Sequence, residues 1–264
     1  MSYYLDAVIR GVIRENELVN RFVLELNEQL KAAPGQYVMA WRPEVGEIPL
    51  SIALLDGDSV TLVIEDVGDT SRGMNKLTVG DKIYLRGPYG RSFSLDRGEK
   101  YLLVAGGVGA APLLFATYEL FRRGIAVDYV GGGRSSRFVL FKEELKKMVR
   151  NLFITTDDGT EGVKCSASEL AKGLICDRRY DVVLTCGPEL MMYDVVKACV
   201  DREVYCEASV VRIIRCAHGI CGSCVVEPGL LVCKEGPIFE GRTLINSEFG
   251  KFYRDEYGNK VAIS

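Results

Sequence analysis

The sequence predicts a β-barrel plus α/β fold, with an antiparallel barrel first, a parallel sheet with crossover helices second, and a small C-terminal subdomain last. Three observations predict it. Residues 1–97 contain short apolar or alternating runs between turns, and residues 98–205 alternate apolar strands with helical segments. In residues 206–264 this periodicity fades while cysteines and glycines accumulate. At 264 residues, the chain is long enough for two compact units and an appendage.

The barrel prediction depends on the spacing of turns. Pro34-Gly35, Asp56-Gly57 and Gly87-Pro88 recur at intervals typical of a small antiparallel barrel. The strands predicted between such turns are 37–40, 51–55, 60–64 and 82–85. Beside them, Ile48-Pro49-Leu50-Ser51 ends a loop and enters a strand, and Gly68-Asp69-Thr70-Ser71 precedes a short helix. Hydroxyls and amides at a helix start suit a diphosphate, although such residues are also common helix caps.

The α/β prediction follows from strands that alternate with helices. Strands are predicted at 101–105, 126–130, 152–155 and 182–184, and helices at 111–123, 142–148 and 190–199. Gly106-Gly107-Val108-Gly109 follows the first of these strands, and Thr185-Cys186-Gly187-Pro188 follows the last. Both loops are expected at the carboxyl edge of the sheet, where backbone N–H groups can contact a pyrophosphate. A glycine loop alone fits a tight turn without a ligand equally well.

Composition and charge exclude several classes of protein. The formal net charge is -3 and no basic stripe with interleaved aromatic residues occurs, so nucleic acid is not an expected partner. Asp6 and Arg10 interrupt the N-terminal apolar residues, which argues against a signal peptide. Glycines and Pro112 break the uncharged run 101–118, which predicts a buried strand and helix rather than a membrane span. Nine unevenly spaced cysteines indicate a reducing, cytoplasmic setting.

The strongest motif is a group of four cysteines near the C-terminus. Its spacing is Cys216-x4-Cys221-x2-Cys224-x8-Cys233, and the first three members follow the plant-type spacing of 2Fe–2S proteins. Four thiolates around a small anionic core need a tight loop of small residues that offers backbone N–H groups to the sulfurs. A structural zinc site is the alternative, although only Cys221 and Cys224 form the C-x2-C pair that such sites usually repeat. Because His218 is the only histidine, a Rieske site with two imidazoles is excluded.

In their order along the chain, these motifs resemble the ferredoxin reductase-like family and, within it, the electron-transfer subunits of dihydroorotate dehydrogenase B. The resemblance covers nearly the whole chain. The segments that carry it are Pro34-Gly35-Gln36-Tyr37-Val38, Pro49-Leu50-Ser51-Ile52, Gly87-Pro88-Tyr89-Gly90, the Gly106 loop, Asp157-Asp158-Gly159, Cys186-Gly187-Pro188 and Cys233-Lys234-Glu235-Gly236-Pro237.

The resemblance implies an FAD-binding barrel (1–97), an NAD-binding α/β domain (98–205) and a 2Fe–2S subdomain with a tail (206–264). It also implies an FMN-containing dihydroorotate dehydrogenase catalytic subunit as partner, in a heterotetramer with two copies of each chain. Electrons would pass from the FMN through the cluster and the FAD to NAD, in pyrimidine biosynthesis. By position, the residues that would line the FAD are Pro49, Leu50, Ser51, Val63, Ile64, Glu65, Thr70 and Ser71. Those that would face the nicotinamide nucleotide are Gly106, Gly107, Gly109, Cys186 and Gly187.

Two positions depart from the family pattern. Ile48 stands where the family often has an arginine, and Thr70-Ser71 stands where a Gly-Thr pair is usual. The nearby cations that would compensate for the missing arginine are Arg42, Arg72 and Arg91. No catalytic acid, base or nucleophile is expected from this chain, because the cofactors carry the chemistry.

Two other functions stay open from the sequence alone. One is a reductase subunit of a hydrogenase or of a ferredoxin:NADP oxidoreductase complex, which only the partner distinguishes. The other is a binding protein without redox activity whose C-terminal segment is held by zinc. The choice of NAD over NADP is also open, because Arg134-Ser135-Ser136-Arg137 follows a strand and could meet a 2′-phosphate.

Overall fold

A computed structural model describes residues 4–177 and 180–263. Its first six strands are β1 (Leu5–Arg14), β2 (Val19–Leu26), β3 (Tyr37–Arg42), β4 (Gly46–Asp56), β5 (Ser59–Glu65) and β6 (Lys82–Tyr89), and a short helix, α1 (Asp69–Met74), follows β5. These strands form a closed antiparallel barrel with the order β1-β2-β5-β4-β3-β6. Closure leaves the barrel without an open sheet edge over most of its length.

The barrel forms because its strands alternate buried apolar and exposed polar side chains. On β2, Phe22, Leu24 and Leu26 are buried in the barrel core while Glu25 is exposed. A period of two residues places such side chains on one face of the sheet and fixes the register of the pairing.

The next part of the chain is a parallel sheet with helices. Its elements are β7 (Lys100–Gly106), α2 (Ala110–Arg122), β8 (Ala126–Gly133), α3 (Lys142–Met148), β9 (Asn151–Thr156), α4 (Ala167–Asp177), β10 (Val182–Cys186), α5 (Glu189–Asp201) and β11 (Tyr205–Ser209). The parallel strands lie in the order β11-β10-β7-β8-β9. Because the chain runs from β7 out to β9 and then returns to β10, the carboxyl ends of β7 and β10 meet at the switch point of the sheet.

The residues after β11 form short elements around the cysteine loop. They are β12 (Val225–Val226), β13 (Leu230–Leu231), β14 (Ile238–Glu240), α6 (Gly241–Ile245), β15 (Phe252–Arg254) and β16 (Lys260–Ala262). β14 pairs antiparallel with β11 and so extends the sheet of the α/β domain. One buried cluster contains Tyr37 and Met39 of the barrel together with Cys224 and Cys233. The C-terminal segment therefore packs on both preceding parts of the chain.

The predicted fold class is confirmed, and every predicted strand lies within an observed one. The predicted helices do so as well, except that 111–123 extends one residue beyond the end of α2 at Arg122. Three longer elements were not predicted: β1, β2 and α4. The barrel strands escaped prediction because no Gly or Pro marks the turn between them at 15–18, and α4 because it contains Gly173 and buries small alanines. The prediction that Ile48 to Ser51 ends a loop was wrong, since β4 already begins at Gly46. Within the described ranges, every helix is too short or too polar to span a bilayer.

A buried polar network holds the parallel sheet together. Asp128 of β8 is fully buried, and its carboxylate accepts hydrogen bonds from Tyr180 Oη (2.8 Å), Arg150 Nε (2.9 Å) and Asn151 Nδ2 (2.8 Å). Burial opposes the negative charge, yet these three donors hold the pKa of Asp128 below its ordinary value. The network links β8 to β9 and to the segment before β10.

Replacing Tyr180 with phenylalanine tests this network. We expect Tyr180→Phe to lower the free energy of unfolding by about 1.5–3 kcal/mol, because a buried carboxylate loses a donor. Urea unfolding measures the change. The control is Tyr118→Phe on the partly exposed face of α2, for which the expected change is within about 0.5 kcal/mol. Equal stabilities of the two variants would contradict the assignment.

Candidate cofactor-binding site

The four cysteines lie on two consecutive turns of the C-terminal segment. Cys224 and Cys233 flank the β12–β13 hairpin, whose pairing brings them together, and the N–H of Cys233 donates to Cys224 Sγ at 3.4 Å. Both are almost fully buried, whereas Cys221 is exposed. Cys216, on the first turn, accepts a hydrogen bond from the N–H of His218 at 3.4 Å. The structure therefore gathers all four cysteines in one region, with one side of the group buried and the other at the surface.

The backbone of this loop is arranged to stabilise thiolates. Gly219 adopts a left-handed conformation (φ 75°), which a residue with a side chain rarely adopts and which helps turn N–H groups inward. Burial opposes ionisation of Cys216, but the N–H groups of Cys221, His218 and Ile220 outweigh it and lower the pKa of this thiol to about 6. The thiolate is the form of cysteine that binds a metal. A loop that stabilises a thiolate before any metal is bound fits a metal-binding role.

The sulfurs form two pairs, Cys216 with Cys221 and Cys224 with Cys233. Burial and the neighbouring Cys224 sulfur raise the pKa of Cys233 to about 12, because burial disfavours the charged thiolate and a second thiolate beside it would repel it. Two thiolates for each of two irons match this pairing better than four thiolates on one zinc. The arrangement of the donors thus fits a 2Fe–2S cluster.

Polar side chains of the barrel fasten the cysteine loop. Tyr37 Oη on β3 donates to the carbonyl oxygen of Cys233 at 3.1 Å, and Arg86 Nη1 on β6 donates to the carbonyl oxygen of Cys216 at 3.1 Å. Arg86 also forms a bidentate ion pair with Glu47, with both N–O distances at 2.7 Å. The hydrogen bonds to Glu47 raise the pKa of Arg86, and those from Arg86 lower the pKa of Glu47. The carbonyl groups of two predicted metal ligands are thereby bonded to the barrel.

Aromatic rings complete this junction. The ring centroids of Tyr37 and Tyr89 are 5.8 Å apart, and Tyr89 meets His218 edge-to-face at 5.5 Å. From the sequence, His218 was expected near the cysteines, whereas Glu47 and Arg86 were not identified. The sequence did contain one signal for Arg86. It is a charged residue between Leu85 and Gly87, in the predicted barrel, and the sequence shows no partner for its charge.

The predicted flavin residues lie together on one end of the barrel. Pro49, Leu50 and Ser51 are on β4, and Val63, Ile64 and Glu65 end β5. From Gly46 to Ser51, β4 pairs with β3, and its pairing with β5 begins only at Ile52. Backbone groups on this unpaired stretch are available to a ligand, and Pro49 is tolerated there because such an edge needs no ladder donor.

The hydroxyls of Thr70 and Ser71 already have partners in the protein. Ser71 Oγ accepts hydrogen bonds from the N–H groups of Val67 and Gly68 at 3.0 Å each and donates to the carbonyl of Gly68. Thr70 Oγ1 donates to the carbonyl of Val45 at 3.4 Å. Ser71 therefore acts as a helix-start residue for α1, and Thr70 ties α1 to the loop that leads into β4.

The three arginines suggested as substitutes for the missing family cation differ in their surroundings. Arg42 donates to the carbonyl of Lys82 and pairs with Asp81 at 3.5 Å. Arg72 pairs with Asp66 and Asp69 on the exposed side of α1. Arg91 is exposed beside the cysteine segment, with its backbone N–H bonded to Gly236. Of the three, Arg72 lies on the same helix as Thr70 and Ser71.

The two predicted nucleotide loops meet at the switch point of the sheet. Gly106 ends β7, a 3₁₀ turn covers Gly107–Gly109, and α2 follows. A Cβ at Gly109 would lie 2.3 Å from the carbonyl oxygen of Cys186, and one at Gly187 would lie 2.8 Å from the nitrogen of Gly106. Only glycine allows the two loops to pack so closely. At Gly107, by contrast, a Cβ would have no atom within 4 Å, so this backbone faces open space where a phosphate can approach.

Cys186 is a buried thiol between these loops. Its Sγ donates to the carbonyl of Ser209 at 3.8 Å, and burial raises its pKa to about 12. It is thus neutral at physiological pH and is not suited to act as a nucleophile.

The loop after β8 contains groups for the rest of a nucleotide. Ser135 Oγ is buried and has no hydrogen-bond partner in the described part of the chain, which leaves it available to a ligand hydroxyl. Arg137 pairs with Glu17 at 3.2 Å, and the guanidinium of Arg134 stacks on Phe138. Burial raises the pKa of Glu65 across the cleft while Arg134 opposes that rise, so barrel and α/β domain face each other here.

Comparison with known proteins identifies the cysteine segment. Residues 212–245 match the family model described as the iron-sulfur cluster binding domain of dihydroorotate dehydrogenase B. This range contains all four predicted ligands.

Similarity to whole proteins extends over the full chain. The probable dihydroorotate dehydrogenase B (NAD(+)) electron transfer subunit of Methanocaldococcus jannaschii is 39% identical and is matched over 96% of each chain. The protein of the same description from Methanocella arvoryzae is 36% identical, over 98% of this chain and 99% of its own.

Solved structures agree on the fold. The structure described as an NADH-dependent reduced ferredoxin-NADP oxidoreductase is 27% identical, with a TM-score of 0.82 over 89% of this chain and 88% of that chain. The Neisseria gonorrhoeae ferredoxin NADP+ reductase shares the fold at a TM-score of 0.65 and 18% identity, over 76% of this chain and 92% of its own. Since two relatives above 30% identity match nearly the whole chain, the resemblance drawn from the motifs is confirmed: this protein belongs to the family of electron transfer subunits of dihydroorotate dehydrogenase B.

Proposed function

We propose that this chain carries electrons from the FMN of a dihydroorotate dehydrogenase catalytic subunit to NAD. The single observation that supports this most is the direct attachment of the cysteine loop to the barrel, through Tyr37 and Arg86. An electron carrier needs its two redox centres at a fixed, short separation, and two strands of the barrel hold the loop in place. When bound, the cluster supplies one-electron transfer and the FAD exchanges one or two electrons, so together they match a one-electron donor to a two-electron acceptor.

The burial of the cysteines gives this route a direction. Cys221 and the neighbouring Ile220, which is 83% exposed, face solvent, whereas Cys224 and Cys233 are buried against the barrel. Electrons would enter at the exposed side, where a catalytic subunit can approach, and would leave at the side held by Tyr37. Proposed ligands are Cys216, Cys221, Cys224 and Cys233.

The cofactors would occupy the sites predicted for them. FAD would lie along Pro49, Leu50, Ser51, Val63, Ile64, Glu65, Thr70 and Ser71. Because the hydroxyls of Thr70 and Ser71 are used within the protein, the backbone N–H groups of α1 and the open stretch of β4 would make the polar contacts instead. The nicotinamide nucleotide would contact Gly106, Gly107, Gly109, Cys186 and Gly187. Ser135 would lie near the end of the nucleotide opposite the nicotinamide. In the described part of the chain, none of the nine cysteines forms a disulfide, which suits action in the cytoplasm.

The second candidate is a reductase subunit of a ferredoxin:NADP oxidoreductase complex, favoured by the close structural match at a TM-score of 0.82. The partner distinguishes the two functions. The purified chain alone should not oxidise dihydroorotate, and addition of the FMN-containing catalytic subunit should produce dihydroorotate-dependent reduction of NAD. Light scattering of the mixture should give the mass of two copies of each chain. Dihydroorotate oxidation by the single chain, or no complex with the catalytic subunit, would contradict the proposal.

Cluster ligation is tested by Cys224→Ser. We expect loss of the visible absorbance and of the electron paramagnetic resonance signal of the reduced 2Fe–2S cluster, because a buried ligand is removed. Cys176→Ser, at an exposed position of α4, removes one thiol elsewhere and should leave iron, sulfide and both spectra unchanged. A colourless wild-type protein with one bound zinc would exclude the redox function.

The nucleotide site is tested by Gly109→Ala. Its new methyl group would collide with the carbonyl of Cys186 and push the two loops apart, so the Kd for NADH should rise about tenfold or more. Anaerobic titration with NADH, followed by flavin bleaching, measures it, and FAD and iron content should stay at wild-type levels. The matched control is Gly173→Ala on α4, where nothing lies within 4 Å of the added methyl group. If no nicotinamide nucleotide bleaches the flavin of the wild-type protein, NAD is not the acceptor.

A further inference from the structure

An ion pair lies between the barrel and the cysteine loop, with Arg86 almost completely buried and the Glu47 side chain 22% exposed. Arg86 is only 7% exposed, and its Nε and Nη2 each lie 2.7 Å from a different carboxylate oxygen of Glu47. The third guanidinium nitrogen, Nη1, points away from Glu47 to the carbonyl of Cys216 at 3.1 Å and to Tyr89 Oη at 3.4 Å. Nη2 also lies 3.5 Å from the carbonyl of Arg215. The guanidinium thus stands between the carboxylate and the loop.

The barrel itself does not require such a pair. Burying two charges costs several kcal/mol per ion before their attraction is counted, and an apolar pair of similar size often stabilises a protein as well. Arg10 and Arg72, which also form ion pairs on the barrel, keep more than half of their side chain exposed. Arg21 on β2 is buried as well, but its partners are Glu15 and Glu144 rather than the cysteine loop. What the pair at this position supplies is a fixed cation beside the backbone of a predicted cluster ligand.

We infer that Arg86 and Glu47 form an oriented ion pair that sets the reduction potential of the 2Fe–2S cluster, with Arg86 raising it and Glu47 lowering it. The inference rests on the proposed function, because it requires a cluster on Cys216 and its three partners. Arg86 and Glu47 act here as positioning residues, through the backbone of the loop and through their charge.

The sign follows from electrostatics. A reduced cluster carries one more negative charge than an oxidised one, so a nearby cation stabilises the reduced form and a nearby anion destabilises it. Arg86 bonds directly to the ligand loop, whereas Glu47 lies on the far side of the guanidinium. The positive end of the pair therefore faces the cluster. Because Arg86 is almost fully buried, water screens its charge less than it would at the surface.

The consequence is control over electron flow. The potential of the cluster relative to the flavin decides in which direction electrons move between them. A carrier that accepts electrons at its exposed side and passes them inward needs a fixed difference between the potentials of the cluster and the flavin. Charged residues on the barrel fix this difference independently of the cysteine ligands.

The test uses the full chain with its cluster bound. The variants are Arg86→Gln, Glu47→Gln and the double variant, and the readout is the midpoint potential from a redox titration followed by electron paramagnetic resonance. We expect opposite shifts: a lower potential for Arg86→Gln, which leaves the carboxylate unpaired, and a higher one for Glu47→Gln, which leaves the cation unpaired. The double variant should lie between the two. Arg86→Lys keeps the cation and should recover most of the potential lost in Arg86→Gln.

A purely structural role predicts a different pattern. Loosening of the loop would move the potentials of both single variants in the same direction, and that result would overturn the inference. Should Arg86→Gln fail to retain its cluster, Glu47→Gln decides the question by the sign of its shift, and Arg86→Lys by keeping a potential close to that of the wild type. The control is Arg21→Gln, which removes a similarly buried arginine of β2 from its ion pairs with Glu15 and Glu144 and should leave the potential unchanged. Absence of any cluster signal from the wild-type protein would refute the proposed function itself, whereas a normal signal with identical potentials in every variant would refute this inference alone.

Discussion

The structure depends on the fastening of the cysteine loop to the barrel. Tyr37 and Arg86 donate hydrogen bonds to the carbonyl groups of Cys233 and Cys216, across sequence separations of 196 and 130 residues. The C-terminal segment has little regular structure and gains rigidity from these contacts and from β14, which joins the sheet at β11. Without them, a short segment rich in glycine could not hold four cysteines at a fixed distance from the barrel.

Close backbone packing is the second constraint on the site. Gly109, Gly187 and Gly106 occur where two loops touch at the carboxyl ends of β7 and β10, and a methyl group on any of them would collide with a neighbour. The same packing leaves Gly107 facing open space. At adjacent positions, glycine thus allows close packing and leaves space for a ligand. This explains why the sequence alone fitted both a tight turn without a ligand and a nucleotide-binding loop.

Some sequence predictions needed the structure to refine them. The pattern of hydroxyls at Thr70 and Ser71 fitted both a diphosphate site and a helix start, and the structure uses both hydroxyls for hydrogen bonds within the protein. Strands β1 and β2 escaped prediction although β2 alternates apolar and polar residues, because the turn between them at 15–18 contains no Gly or Pro. Glu47 and Arg86 could not be paired, since 39 residues separate them in the chain.

The sequence by itself determined the fold class, the order of the three parts, the cysteine spacing and the two loops at the sheet edge. Each of these depends on neighbours within about ten residues, where periodicity, turn residues and ligand spacing are written directly into the chain. Only the tertiary structure decided which cysteines are buried, how their sulfurs pair and which barrel side chains contact them. These features depend on strands that are distant in sequence and adjacent in space. The role of Arg86 can be inferred only once its two contacts are known, the Glu47 carboxylate on one side and the cysteine loop on the other.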